Sequence, residues 1–423
     1  MGVLTFSNEA VWLIAALATL GVMMRPWGLP EATWAVAGAA LLVVSTLLPL
    51  RAALAAVASG TNVYLFLIGM MLLAELARGE GLFDWLAALA ARAARGSPRR
   101  LFTMVYVVGA LVTMLLSNDA TAVVLTPAVY AVTRAAGARP LPYLFICAFI
   151  ANAASFTLPI ANPANLVVFG NHMPPLSSWL ARFALPSVVS IGVTYAVLGF
   201  SQRRALQGRI AQQIALPPLA PGARLVAGGI VLTAAVLLGA SALGVALGLP
   251  AFIAGVLTAL LTLLRNRRAL RPVIRGVSWS VLPLVAGLFV LVRGLDHTGV
   301  LHSLSRLLQT HVQRSAAATS AVVGVFTALA CNVANNLPVA LVAGTALKAA
   351  PATRPLLANA MLIGVDLGPN LSITGSLATI LWMVALRREQ QHVSAGRFLR
   401  LGVVVMLPAL LASLAAAVYL PSR

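Results

Sequence analysis

Two acidic residues stand where acid is least expected. The 423-residue chain holds only nine aspartates and glutamates, and Asp119 and Asp366 alone fall in polar breaks inside long apolar runs. The first break reads Ser117-Asn118-Asp119-Ala-Thr121, the second Asp366-Leu-Gly-Pro369-Asn370-Leu-Ser372-Ile-Thr374-Gly375-Ser376. Two further breaks carry no acid: Thr157-Leu-Pro159-Ile-Ala-Asn162-Pro163-Ala-Asn165, and Asn332 to Pro338 with Asn335-Asn336 at its centre. Helix-breaking polar sequence at membrane depth is tolerated only where it is buried in protein or lines a wet cavity. A charged Asp there costs about 2.5–3.5 kcal/mol or more, which makes it a functional candidate by default. Such a carboxyl can alternate between protonated and charged forms as its cavity faces each side, the minimum equipment for proton coupling. Asp119 and Asp366 are the two candidates, Asp119 first. The competing role for either is a structural hydrogen bond to a helix end, where negative charge suits an N-terminus.

The neighbouring amides and hydroxyls supply donors and acceptors for a small polar solute or ion, and broken helices aim free backbone groups at the same place. The expected binding set is Asn118, Thr121, Asn162, Asn165, Asn335, Asn336, Asn370, Ser372, Gly375 and Ser376. Their plainer reading, residue by residue, is that they cap broken helices. None of the four segments contains Arg or Lys.

Other chemistries are disfavoured. Cys147 and Cys331 lie in apolar runs and support neither a disulfide framework nor a thiolate metal site; Cys331, close to the second break, reads as a small hydrophobe rather than a ligand. His172, His297, His302, His311 and His392 lie in connecting segments with no ligand spacing. The single lysine, Lys348, follows no glycine-rich phosphate loop. No enzyme activity, cofactor or resident metal is expected, and a gradient or a partner must supply the energy. Glu75, Arg293 and Asp296 fall near span ends and read as snorkelled or interfacial charges, Glu80 and Asp84 as surface charges.

The elements that must position these breaks follow from composition. With 61% hydrophobic and 9% charged residues and a mean hydropathy of +0.96, the chain is all-α and polytopic, one membrane domain in two halves. The net charge of +20 sits in short arginine clusters between apolar runs, which the positive-inside rule explains without nucleic acid. Runs long enough to cross about 30 Å of hydrocarbon fall near 9–26, 32–50, 61–78, 141–170, 177–199, 223–243, 246–265, 279–295, 354–386 and 400–420. The first is read as a retained span, not a cleaved leader. Stretches 101–135 and 316–350 carry polar tips at their middle and read as re-entrant hairpins. Spans 141–170 and 354–386 read as broken helices, and 82–96 and 299–314 as interfacial helices.

The halves repeat. Gly69, Glu75 and Gly81 match Gly287, Arg293 and Gly299 at an offset of 218, the tips match at 217, and Pro159 and Asn162 fall opposite Ser372 and Gly375 at 213. Residues 1–200 form the first repeat and 223–423 the second, joined by a hydrophilic cytoplasmic linker at 201–222. Five spans per half, an odd number, invert the second copy. With both termini outside, the outer face holds Arg51, Arg182, Arg293, Arg306, Arg314, Lys348, Arg354 and Arg423, leaving 21 of the 29 basic residues inside.

These same residues resemble the ArsB arsenite/antimonite efflux family, within the wider superfamily of two-hairpin ion transporters. The matching stretches are Glu75-Leu-Ala-Arg-Gly-Glu80-Gly-Leu-Phe-Asp84-Trp, Ser117 through Pro127, Ala151-Asn152-Ala-Ala-Ser155-Phe, Asn162-Pro-Ala-Asn165-Leu, Asn335-Asn-Leu-Pro338 and Asp366 through Thr379, so they span both halves. The resemblance implies efflux of arsenite or antimonite across a bacterial inner membrane in exchange for protons, sometimes with a separate ArsA-type ATPase on the cytoplasmic face. The alternative on the same architecture is a sodium/proton antiporter or a sodium-coupled carboxylate carrier.

Overall fold

The computed structural model describes residues 2–170, 173–212, 214–265, 270–348 and 354–419. His172, Arg267, Arg268 and Arg423 lie outside these residues, and the side chains of Lys348 and Arg354 are likewise not described. The first half runs α1 (Gly2–Met24), α2 (Glu31–Val44), α3 (Leu50–Ser59), α4 (Thr61–Gly79), α5 (Leu82–Ala93), α6 (Pro98–Leu115), α7 (Thr126–Ala135), α8 (Leu141–Ala153), α9 (Pro163–Phe169) and α10 (Leu176–Gln202). The second half repeats that order with α11 (Pro221–Ala242), α12 (Gly248–Arg265), α13 (Leu270–Gly276), α14 (Val281–His297), α15 (Val300–Arg314), α16 (Ala316–Ala334), α17 (Asn336–Lys348), α18 (Arg354–Leu367), α19 (Leu377–Arg388) and α20 (Ala395–Tyr419). Among the described residues, nine helices are long and apolar enough to cross a membrane. Large apolar side chains such as Leu13, Val44, Leu243 and Phe326 point outward, as surfaces that meet lipid do.

Local chemistry sets the same joints in both halves. Gly81 (φ 74°) and Gly299 (φ 78°) turn α4 into α5 and α14 into α15, a left-handed conformation that costs glycine nothing. Ser97 and Ser315 then cap the first arm of each hairpin, accepting from the N–H of Arg100 and Ala318 at 3.4 and 3.3 Å, the side-chain N-cap that frees a helix end from water. At the broken helices, Asn162 caps α9 and Ser376 caps α19. Half-helix starts at Pro163 and Leu377 place the structural offset of the breaks at 214, one residue from the 213 read along the sequence.

Packing sorts the helices into two groups. In one, α4 packs on α12, α2 on α14, α1 on α2 and α11 on α12, with the short α3 and α13 against α14 and α4. In the other, α6 packs on α8, α16 on α18 and α10 on α20. The hairpins cross between halves: α17 packs against α9, and α7 against α19. The return arm of each hairpin thus abuts the second half-helix of the opposite repeat, which brings the polar breaks together.

Two sequence expectations are corrected. The span read at 32–50 ends as a helix at Val44, because the turn before Pro49 interrupts it and α3 starts afresh at Leu50. The second tip is also narrower than Asn332 to Pro338, since α16 stays helical through Ala334 and the chain reverses at Asn335 alone (φ 68°). The first tip is broader: a wide π-helical segment, Ala120–Leu125, follows Asp119. Pro127, which has no N–H to donate, lies just beyond it, and single wide turns of this kind gather at functional sites.

Candidate functional site

Asn118 and Asp119 of the first tip, Asn162 and Pro163 at the start of α9, Asn336 and Leu337 at the start of α17, and Ser376, Leu377 and Ala378 at the start of α19 surround one small cavity, closed by Leu67 of α4 and Val281 of α14. Its volume is about 20 Å³, room for roughly one water molecule. Three helix N-termini therefore meet there. The backbone is pinned across the breaks: the Asn118 N–H donates to Ala161 O at 3.1 Å, and the Asn118 Oδ1 accepts from the Asp119 N–H at 2.9 Å. The Asp119 carboxylate has no hydrogen-bond or ion-pair partner among the described residues, and no lining residue is cationic.

Of the expected set, Asn118, Asp119, Asn162, Asn336 and Ser376 line this cavity; the others brace it. Thr121 shares a 2.8 Å hydroxyl bond with Thr113 inside the first hairpin. Asn165 donates to the carbonyls of Ser155 and Leu158 at 3.0 and 3.2 Å and so closes the first break. Asn335 reaches Thr374 O at 3.4 Å, Ser372 donates to Asn332 Oδ1 at 2.6 Å, and Gly375 packs against Pro369. Asn370 donates to Phe149 O and accepts from Asn152. Asp366 is fully buried behind the lining, its Oδ1 accepting from Asn162 Nδ2 at 2.7 Å. Cys331 is also fully buried, facing the Val365 carbonyl at 3.8 Å rather than the cavity.

The sequence reading passed over Asn152 and Asn332 as site residues. The Asn152 amide donates to Asn370 Oδ1 at 2.9 Å, a direct bond between the two repeats, and Asn332 donates to Gly368 O at 3.0 Å while holding Ser372. The available signal was a lone Asn in the last turn before each break, a polar residue with no reason to sit in an apolar helix unless something pairs with it.

A wider opening of about 720 Å³ leads toward the cavity. Its walls include Val63 of α4, Leu166 of α9 and Leu341 of α17, each one helical turn from Leu67, Pro163 and Leu337 in the cavity lining. Arg293, Asp296 and His302 stand at its rim, and Arg293 donates to Asp296 at 3.0 Å. At the matching place in the other half, offset by 218, Glu75 pairs with Arg78. Glu75 is buried, and the Gly276 backbone of the α13 end lies so close that a Cβ there would strike its carboxylate. One mouth is open and its counterpart is packed shut.

Two bundles of helices around a polar centre, approached through an open vestibule, define a membrane transporter. The family described as citrate transporter (CitMHS) matches residues 10–364. The arsenical pump membrane protein of Yersinia enterocolitica is 30% identical over 362 residues, 82% of this chain and 84% of that protein; that of Escherichia coli K12 is 28% identical over 365 residues, with the same coverage. The crystal structure of the Alcanivorax borkumensis YdaH transporter superposes with a TM-score of 0.57 at 17% identity, covering 87% of this chain and 86% of that one, a likeness of fold. The chain belongs to the arsenical pump membrane protein (ArsB) family.

Proposed function

We propose that this protein exports arsenite or antimonite from the cytoplasm in exchange for protons by alternating access, with Asp119 carrying the exchanged proton. The observation that carries this reading is an unpartnered carboxyl among neutral amides and helix ends, with no cationic residue in the lining. Arsenous acid is a neutral trihydroxy solute near neutral pH, and amides, hydroxyls and backbone groups suit it. Facing the cytoplasm, ionised Asp119 accepts a hydrogen bond from a solute O–H. Facing outward, protonation of the same carboxylate leaves only a weaker, neutral acceptor and frees the solute. Solute and proton compete for one group, which is what exchange requires. Exchange of a neutral solute for one proton moves one charge inward, to which the membrane potential adds about 2.3 kcal/mol per 100 mV.

In this reading both termini and the open vestibule face outward, the linker 201–222 is cytoplasmic, and the bacterial inner membrane is the site of action. A collapsed cavity beneath an open vestibule then corresponds to the state after release. An ArsA-type ATPase docked on the cytoplasmic face is compatible with the arginine-rich linker side.

The test is arsenite accumulation in everted vesicles under an imposed proton gradient, comparing parent, Asp119→Asn and Asp366→Asn. The parent accumulates arsenite and Asp119→Asn loses gradient-driven uptake by roughly two orders of magnitude, the scale of about 2.7 kcal/mol. Undiminished uptake in Asp119→Asn refutes the proton assignment; no uptake by the parent refutes the substrate. A sodium-coupled carboxylate carrier is the second reading, favoured by the description of the matching family; it requires sodium-driven citrate flux, and the lining offers a polyanion no cation.

A further inference from the structure

Asp366 is nowhere in the cavity wall, yet its surroundings are not those of an inert acid. It is 0% exposed, and among the described residues its Oδ2 has no hydrogen-bond partner and its Oδ1 is held by one donor, Asn162. Asn162 has two further engagements. Its Oδ1 caps α9 by accepting from the Ala164 N–H at 3.0 Å, and the residue lines the cavity together with Asn118 and Asp119. A single amide therefore connects a buried carboxyl, the orientation of a half-helix N-terminus and the solute's space.

We infer that Asn162 is a positioning residue through which Asp366 senses and sets the state of the cavity. This rests on the proton-exchange reading above. Loss or gain of a proton at Asp366 changes how strongly it draws the Asn162 amide, and the amide cannot shift without moving the α9 cap and the lining. Conversely, a solute that hydrogen-bonds Asn162 competes for the amide that Asp366 uses. The two carboxyls then have distinct parts: Asp119 meets the solute, and Asp366 acts one residue removed.

Asp119 shares the cavity lining with Asn162 and is separated from this link by the Asp366→Asn background below; among the described residues, the elements packed around Asp366 offer no other. On α16 the thiol of Cys331 is the titratable group beside Asp366. The α9 segment carries no titratable side chain, α8 carries Tyr143 and Cys147, and α20 carries Arg397 and Arg400 in its first two turns. The α17 Lys348 and the α18 Arg354 stand at the far ends of their helices.

The second repeat supplies the diagnostic variant. Ser376 caps α19 with a serine hydroxyl that accepts from the Thr379 N–H at 3.1 Å. Asn162→Ser thus keeps a cap of the kind the other half already uses while giving up the reach to Asp366. Sodium arsenite uptake into everted vesicles is measured against pH for the parent, Asn162→Ser, Asp366→Asn and the double variant. Asn162→Ser shifts the midpoint of the pH profile by about one unit, tenfold in proton concentration, and adds no shift in the Asp366→Asn background. A profile identical to the parent's, or a shift that persists without Asp366, overturns the inference and leaves the role of Asp119 standing. A second measurement needs no folded variant at that position. In the parent, the infrared carboxyl stretch assigned by its loss in Asp366→Asn moves when sodium arsenite is added; an unmoved band overturns the inference as well.

Discussion

Gly276→Val tests whether the closed mouth is held by the contact seen at Glu75. The Gly276 backbone lies against the buried carboxylate that pairs with Arg78, so a valine side chain has no space while that mouth is shut. Overpacking of this kind costs about 1–3 kcal/mol, and the cost falls only on the conformation in which α13 and α4 meet. The ratio of the two conformations therefore changes by roughly 5- to 150-fold toward the one with that mouth open. The readout is labelling by a membrane-impermeant thiol reagent at two related positions on the hairpin return arms. Thr345 of α17 lines the open vestibule; Ala128 of α7, its counterpart at the tip offset of 217, is 4% exposed. Both native cysteines are fully buried and contribute little background. With Gly276→Val, labelling of Ala128→Cys rises and that of Thr345→Cys falls. Equal labelling with and without the valine refutes the gate, and a rise at both positions refutes it too, since that reports general loosening rather than a shift between two mouths.

Cys331 faces a backbone carbonyl away from the cavity, so Cys331→Ala keeps arsenite uptake within about twofold of the parent; a tenfold loss would place the thiol in the path. Asn370→Ala removes the acceptor of Asn152 and the donor to Phe149 O between the repeats. An orphaned buried amide costs about 1–3 kcal/mol, seen as a lower melting temperature in detergent, and an unchanged melting temperature would show that the cross-repeat bond contributes nothing.

Much of the architecture was legible in the residues. Length of apolar runs marked the long helices, and Gly81 and Gly299, matched in sequence as repeat positions, stand in the structure at left-handed joints. The four polar breaks marked the segments that meet at one cavity, because hydrocarbon does not tolerate unpaired backbone. Segments 82–96 and 299–314, read as interfacial helices, are helical over α5 and α15. Periodicity was less informative at the tips: Asn332 resembles a breaker in sequence but stays helical because Gly368 O and Ser372 satisfy its amide.

By itself, the sequence determined that this is a polytopic helical transporter with paired polar breaks and two acids among them, since burying those residue types in lipid has few physical solutions. It could not divide the breaks into wall and brace. Asn162 and Asn165 are three residues apart and chemically alike, yet one lines the cavity while the other ties down its own break. Asp119 and Asp366 read as equivalent acids, yet one is unpartnered in the wall and the other is buried behind an amide. Which group faces the cavity depends on how α9 meets α17 and α7 meets α19, contacts between residues some two hundred apart, and only the tertiary structure decided that.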